Sequence, residues 1–124
     1  MTSIVGDGGY LDIARSSCTA ARGAQRARPG LISLYTEAQV YEPVARQLQA
    51  VMVHPGLPPT SLPESCTAIV IGPGLASPYL PEAVKRFCQE TWQESPLPVI
   101  VDASAQAWLP PGPCLENTLR VITP

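Results

Sequence analysis

The stretch Ala68-Ile69-Val70-Ile71-Gly72-Pro73-Gly74-Leu75-Ala76 decides the fold. From Ala68 to Ile71 it is wholly apolar and flanked by turn formers. A run with no polar face is what a strand covered by helices on both sides requires, and such strands belong to parallel sheets. The run closes on Gly72-Pro73-Gly74, two glycines bracketing a proline. That makes a tight, pre-shaped loop with backbone N–H groups exposed, ahead of a helix whose N-terminus favours anions. An ordinary strand-to-helix connector fits the same residues equally well.

Working outward, Pro98-Val99-Ile100-Val101 repeats the buried-strand pattern and ends at Asp102. Between the two runs a helix is predicted from about Ser77-Pro78 or Pro81, with Leu80, Val84, Phe87, Cys88 and Trp92 at helical spacing. Residues 103–109 have room for a helical turn or two, and Arg120-Val121-Ile122-Thr123 reads as a last strand. Toward the start, Ile4-Val5 is a short strand leading into Gly6-Asp7-Gly8-Gly9-Tyr10. A small-residue helix over residues 14–28 carries Ala14, Cys18, Ala21 and Gln25 along one stripe, suited to close packing on a sheet. Strands are predicted at residues 31–35 and 51–53, with a helix over residues 43–49 starting at Pro43 and turning Val44 and Leu48 inward.

Strands alternating with helices, the strands apolar throughout, predict an α/β fold: a three-layer, mostly parallel sheet flanked by helices and joined by right-handed crossovers. Ligands of such sheets bind beyond the carboxyl ends of the strands. Three segments fall there, at residues 6–10, 72–76 and 102–104. The first invites a dinucleotide-fingerprint reading, but Leu11 stands where the last glycine of that fingerprint belongs. Asp102 puts a carboxylate where substrates dock, although an isolated aspartate there reads better as a helix cap. His54, beside Pro55, is expected in a surface loop with no role, and Trp92 and Trp108 are expected to pack.

Composition narrows the classes. The chain has 124 residues, 45% apolar and 15% charged, which suits one modest folded domain. A net charge of −2 and the scatter of Arg15, Arg22, Arg26 and Arg28 around their helix leave no nucleic-acid footprint. Most of the 15 prolines lie in short connectors, which predicts rigid loops. Cys18, Cys66, Cys88 and Cys114 are far apart and His54 is the single histidine. A metal site is therefore not expected, and the thiols read as free groups in a reducing cytoplasm. With no signal peptide or membrane span in view, a soluble cytoplasmic protein is expected.

Several of these pieces follow one another in an order that resembles a known family. The series is Gly9-Tyr10, Ala20-Ala21-Arg22, Gly30-Leu31-Ile32-Ser33, Ile71-Gly72-Pro73-Gly74-Leu75-Ala76, Asp102-Ala103-Ser104-Ala105 and Arg120-Val121-Ile122-Thr123-Pro124. It is similar over nearly the whole chain to the NAD(P)H-hydrate dehydratases of the ribokinase-like superfamily. The resemblance implies a lyase that repairs hydrated NADH and NADPH, using ATP or ADP and Mg²⁺ in the intact family domain. It also implies substrate-binding roles for Gly9, Tyr10, Gly72, Gly74 and Asp102, with no catalytic or metal-binding residue assigned.

The chain departs from the family pattern in places. Leu11-Asp12-Ile13-Ala14 stretches the spacing after Gly9-Tyr10, Ala76 replaces a glycine and Ser104 replaces an aspartate. The family's His-Pro-Gly-Glu segment, and the glycine-rich motif with its catalytic aspartate and nucleotide site, are not among these residues. Residues 1–124 are thus expected to be one partial ribokinase-like domain, without the nucleotide-binding carboxyl-terminal half and inactive alone. Two alternatives stand beside this: part of a kinase for a vitamin precursor, or a non-catalytic remnant that binds a nucleotide or a protein partner. Neither nucleic acid nor membrane is an expected partner, and homo-oligomerisation is left open. Residues 120–123 are expected to form an exposed apolar edge.

Overall fold

The computed structural model describes residues 2–5, 10–72, 75 and 79–124, with backbone alone for residues 2–5 and 10–13. Strands β1 (Thr2–Val5), β2 (Ser33–Thr36), β3 (Met52–Pro55), β4 (Ile69–Gly72), β5 (Val99–Asp102) and β6 (Arg120–Thr123) form one sheet. Their order is β3-β2-β1-β4-β5-β6, and every neighbouring pair is parallel. Helices α1 (Tyr10–Arg26), α2 (Ala38–Ala45) and α3 (Glu82–Glu94) and a short 3-10 helix (Ala103–Trp108) make the connections.

The pairing register sorts the side chains into two faces. Leu34, Val70, Ile100 and Val121 share one, while Ile71, Val101 and Ile122 share the other. On the first face Leu34 packs with Ala14, Cys18 and Ala21 of α1 and with Val40 and Val44 of α2. The small side chains of α1 let its backbone approach the sheet closely. On the second face Ile69, Ile71, Val99 and Val101 pack with Val84, Cys88 and Trp92 of α3 and with Ala105 of the 3-10 helix. The chain steps outward from β1 to β3, returns to β4, and steps outward the other way. Right-handed crossovers then put the two sets of helices on opposite faces, giving three layers and a reversal of strand order between β1 and β4.

Two local expectations are corrected. Helix α2 spans Ala38–Ala45, with Pro43 inside it rather than in its first turn. A proline there forfeits one backbone hydrogen bond, but Val40 and Val44 are both fully buried one helical turn apart, and that packing sets the helix. His54 lies within β3, not in a surface loop. Its ring stacks on Tyr35 of β2 at 4.7 Å, and its Nε2 is enclosed without a hydrogen-bond partner among the described residues. Pro55 misled the reading because an edge strand tolerates proline; the ladder continues past it, with the Gly56 N–H donating to the Thr36 carbonyl at 2.7 Å.

Trp92 packs as expected, and all four cysteines are free. Burial pushes the Cys88 thiol up from 9.0 to about 12. Folding thus keeps a proton that the unfolded chain gives up as pH rises above the ordinary thiol value. The contribution is fully present below pH 9 and is lost as pH climbs toward about 12. Comparing unfolding midpoints of wild type and Cys88→Ala across that interval is expected to show a steeper alkaline decline in wild type, by at most ~4 kcal/mol. Parallel curves would show that Cys88 is not so enclosed.

At the far edge, β6 pairs only with β5 among the described residues; of the expected apolar edge Ile122 is exposed and Val121 half-buried, and Leu119 just before it is exposed as well. No described helix is long and apolar enough to cross a membrane.

Candidate functional site

Because the strands are all parallel, the carboxyl ends of β1, β4 and β5 lie side by side at one rim, where the sequence places its three informative segments. Gly9 and Gly74 lie outside the described residues, as does the side chain of Tyr10, whose backbone begins α1. Gly72 and Asp102 are described, and they touch. A Cβ on Gly72 would sit 2.8 Å from both the Cβ and the carbonyl oxygen of Asp102. Glycine at position 72 is therefore a steric requirement set by the neighbouring strand.

Asp102 does not cap the helix that follows it: at the N-cap position its carboxylate makes no capping hydrogen bond. Instead it accepts a hydrogen bond from the Thr123 hydroxyl at 2.5 Å. Thr123 is its register partner on β6, and the Gln106 side-chain amide donates to the Thr123 carbonyl. Side chains at paired positions in a parallel sheet point the same way, so β6 delivers the hydroxyl to the carboxylate directly. The cap reading failed because a sequence does not show which strand lies next to β5.

The carboxylate faces a cleft of about 250 Å³ whose other wall is α1, through Arg15, Ser16, Thr19 and Ala20. Arg15 is exposed and forms no ion pair among the described residues. A carboxylate, two hydroxyls and a guanidinium around one hollow can hold a polyhydroxylated or phosphorylated small molecule. Sequence reasoning missed this role for α1, since only the fold brings the helix across to β5. Leu75, beyond β4, is anchored by the Trp108 indole N–H, which donates to its carbonyl, and Lys85 lies 4.7 Å over the Trp108 ring.

A second cleft, of about 400 Å³, opens at the same rim between Glu37, Ala38 and Gln39 after β2, Gly56 and Leu57 after β3, and Pro81 and Val84 at the start of α3. Strand β1 lies between β2 and β4 in the sheet, so the walls of this cleft come from both sides of the point where strand order reverses.

The family model described as NAD(P)H-hydrate dehydratase matches residues 7–124. The chain belongs to this family. Its members share a nucleotide-dependent, carbohydrate-kinase-like fold and act on hydrated NAD(P)H. No curated protein and no solved structure matches the chain with significance. Among the described residues, no three histidine, cysteine, aspartate or glutamate side chains gather as metal ligands.

Proposed function

We propose that this chain supplies the substrate-binding rim of an ATP- or ADP-dependent NAD(P)H-hydrate dehydratase and has no turnover as residues 1–124 alone. The family match over residues 7–124 carries this reading. The contact between Gly72 and Asp102 supports it, because both positions belong to motifs by which the chain resembles the family. In this reading Gly72 keeps the β4 loop close to β5. Asp102, oriented by Thr123, accepts a hydrogen bond from a substrate hydroxyl, and Arg15 offers its charge to the pyrophosphate. Gly9, Tyr10 and Gly74 complete the proposed substrate contacts.

A dehydratase also needs a base for the substrate hydroxyl and a cradle for the nucleotide, each worth several kcal/mol of barrier reduction. The family motifs that supply them are not among these residues. Incubating residues 1–124 with hydrated NADH, Mg²⁺ and either ATP or ADP is expected to give no return of NADH absorbance above the uncatalysed rate. Recovery that scales with protein concentration would contradict this. Ser104, standing where the family carries a carboxylate, favours a second reading of the chain as a non-catalytic nucleotide- or partner-binding protein. Specific binding of hydrated NADH separates the first reading from the second.

A further inference from the structure

The cleft on the other side of the β1–β4 reversal has a chemistry of its own. Glu37, the first residue after β2, lines it, and the Gln39 side-chain amide donates to the Glu37 Oε2 at 2.6 Å. Leu57, Pro81 and Val84 supply apolar wall, Gly56 supplies wall without a side chain, and no lysine or arginine is among the described lining residues. An apolar slot with one carboxylate suits a flat ring carrying a vicinal diol: the wall takes the ring and the carboxylate accepts from the hydroxyls. In sheets of this strand order, dinucleotides lie across the crevice where the order reverses, and an acidic group within reach binds the adenosine ribose.

We infer that this cleft holds the adenosine end of the dinucleotide, with Glu37 taking the ribose hydroxyls and selecting against a 2′-phosphate. The inference rests on the dehydratase reading for the identity of the dinucleotide. Its selectivity follows from charge. Hydrated NADH and hydrated NADPH differ only by the 2′-phosphate, and that dianion would approach the Glu37 carboxylate with no described cation in the lining to offset it. Like charges a few Å apart at a partly solvated site disfavour the phosphorylated ligand by about ten-fold or more.

The test uses calorimetric titration of the full chain with two ligand pairs: hydrated NADH against hydrated NADPH, and AMP against adenosine 2′,5′-bisphosphate. The second pair contains no nicotinamide, so it reads the cleft independently of dehydratase chemistry. Wild type is expected to prefer the member without the 2′-phosphate in both pairs by about ten-fold. Glu37→Gln should shrink the preference and Glu37→Lys should reverse it. Glu37 is half-buried and its side chain bonds only to Gln39 among the described residues, so both variants should fold, which unfolding midpoints check. Equal affinities in wild type, or a preference unchanged in Glu37→Lys, would overturn the inference while leaving the dehydratase reading intact. Failure of both hydrates to bind, with the AMP preference retained, would remove the dehydratase reading and leave the adenosine cleft. Failure of all four ligands would remove both.

Discussion

Arg120→Ala is expected to lower the unfolding free energy by about 3 kcal/mol. The guanidinium at the start of β6 serves four backbone carbonyls. Nε donates to Trp92 at 2.6 Å, Nη2 to Ser95 at 2.6 Å, and Nη1 to Leu97 at 3.0 Å and Leu119 at 3.1 Å. Two of these acceptors lie at the carboxyl end of α3, where orphan carbonyls and the helix dipole both favour a cation. The same group lies 5.9 Å over the Trp92 ring. A charge-assisted hydrogen bond contributes ~1.5–3 kcal/mol, but those sharing one side chain do not add, and water reaches some of the acceptors after truncation. Lysine cannot reproduce a planar fork, so Arg120→Lys should recover less than half of the loss. Urea unfolding with an unchanged slope checks both variants. A shift within ~0.5 kcal/mol for Arg120→Ala would show that β6 is held by its strand pairing alone.

Gly72→Ala is expected to cost about as much, for a different reason. The added methyl meets the Asp102 carbonyl oxygen at 2.8 Å and its carbonyl carbon at 3.2 Å. Those are backbone atoms of a paired strand, so they cannot swing aside as a flexible side chain would. Overpacking of this kind costs typically ~1–3 kcal/mol, and relief here means spreading β4 from β5 at the rim. Gly23→Ala is the control: nothing lies within 4 Å of the added atom in the last turn of α1. That helix should gain up to ~1 kcal/mol. If both variants moved in the same direction by similar amounts, the close approach of Gly72 to Asp102 would not exist.

The sheet was legible because Ile69, Ile71, Val99 and Val101 are buried by helices, and an apolar run records that burial directly. The stripes of α1 and α3 were legible for a like reason: Ala14, Cys18 and Ala21, and Val84, Cys88 and Trp92, face the core at helical spacing. What the chain does not record is which strand lies beside which. Asp102 reads as a cap until β6 is found next to β5, and Glu37 is an ordinary acid until the loops after β2 and β3 close on α3. Arg120 likewise shows only as the head of a strand, since its acceptors lie more than twenty residues away in sequence, apart from Leu119. Pro43 and Pro55 misled in a common way. Each forfeits one donor, and each sits where packing or an edge position tolerates that loss.

The measurement that bears most directly on the rim as a substrate site is titration of hydrated NADH into wild type and Asp102→Asn. Asparagine keeps the shape and an oxygen for the Thr123 hydroxyl, but it lacks the charge. Wild type should bind, and the variant should bind about ten-fold more weakly or worse at an unchanged unfolding midpoint. Undiminished affinity in Asp102→Asn would contradict the account.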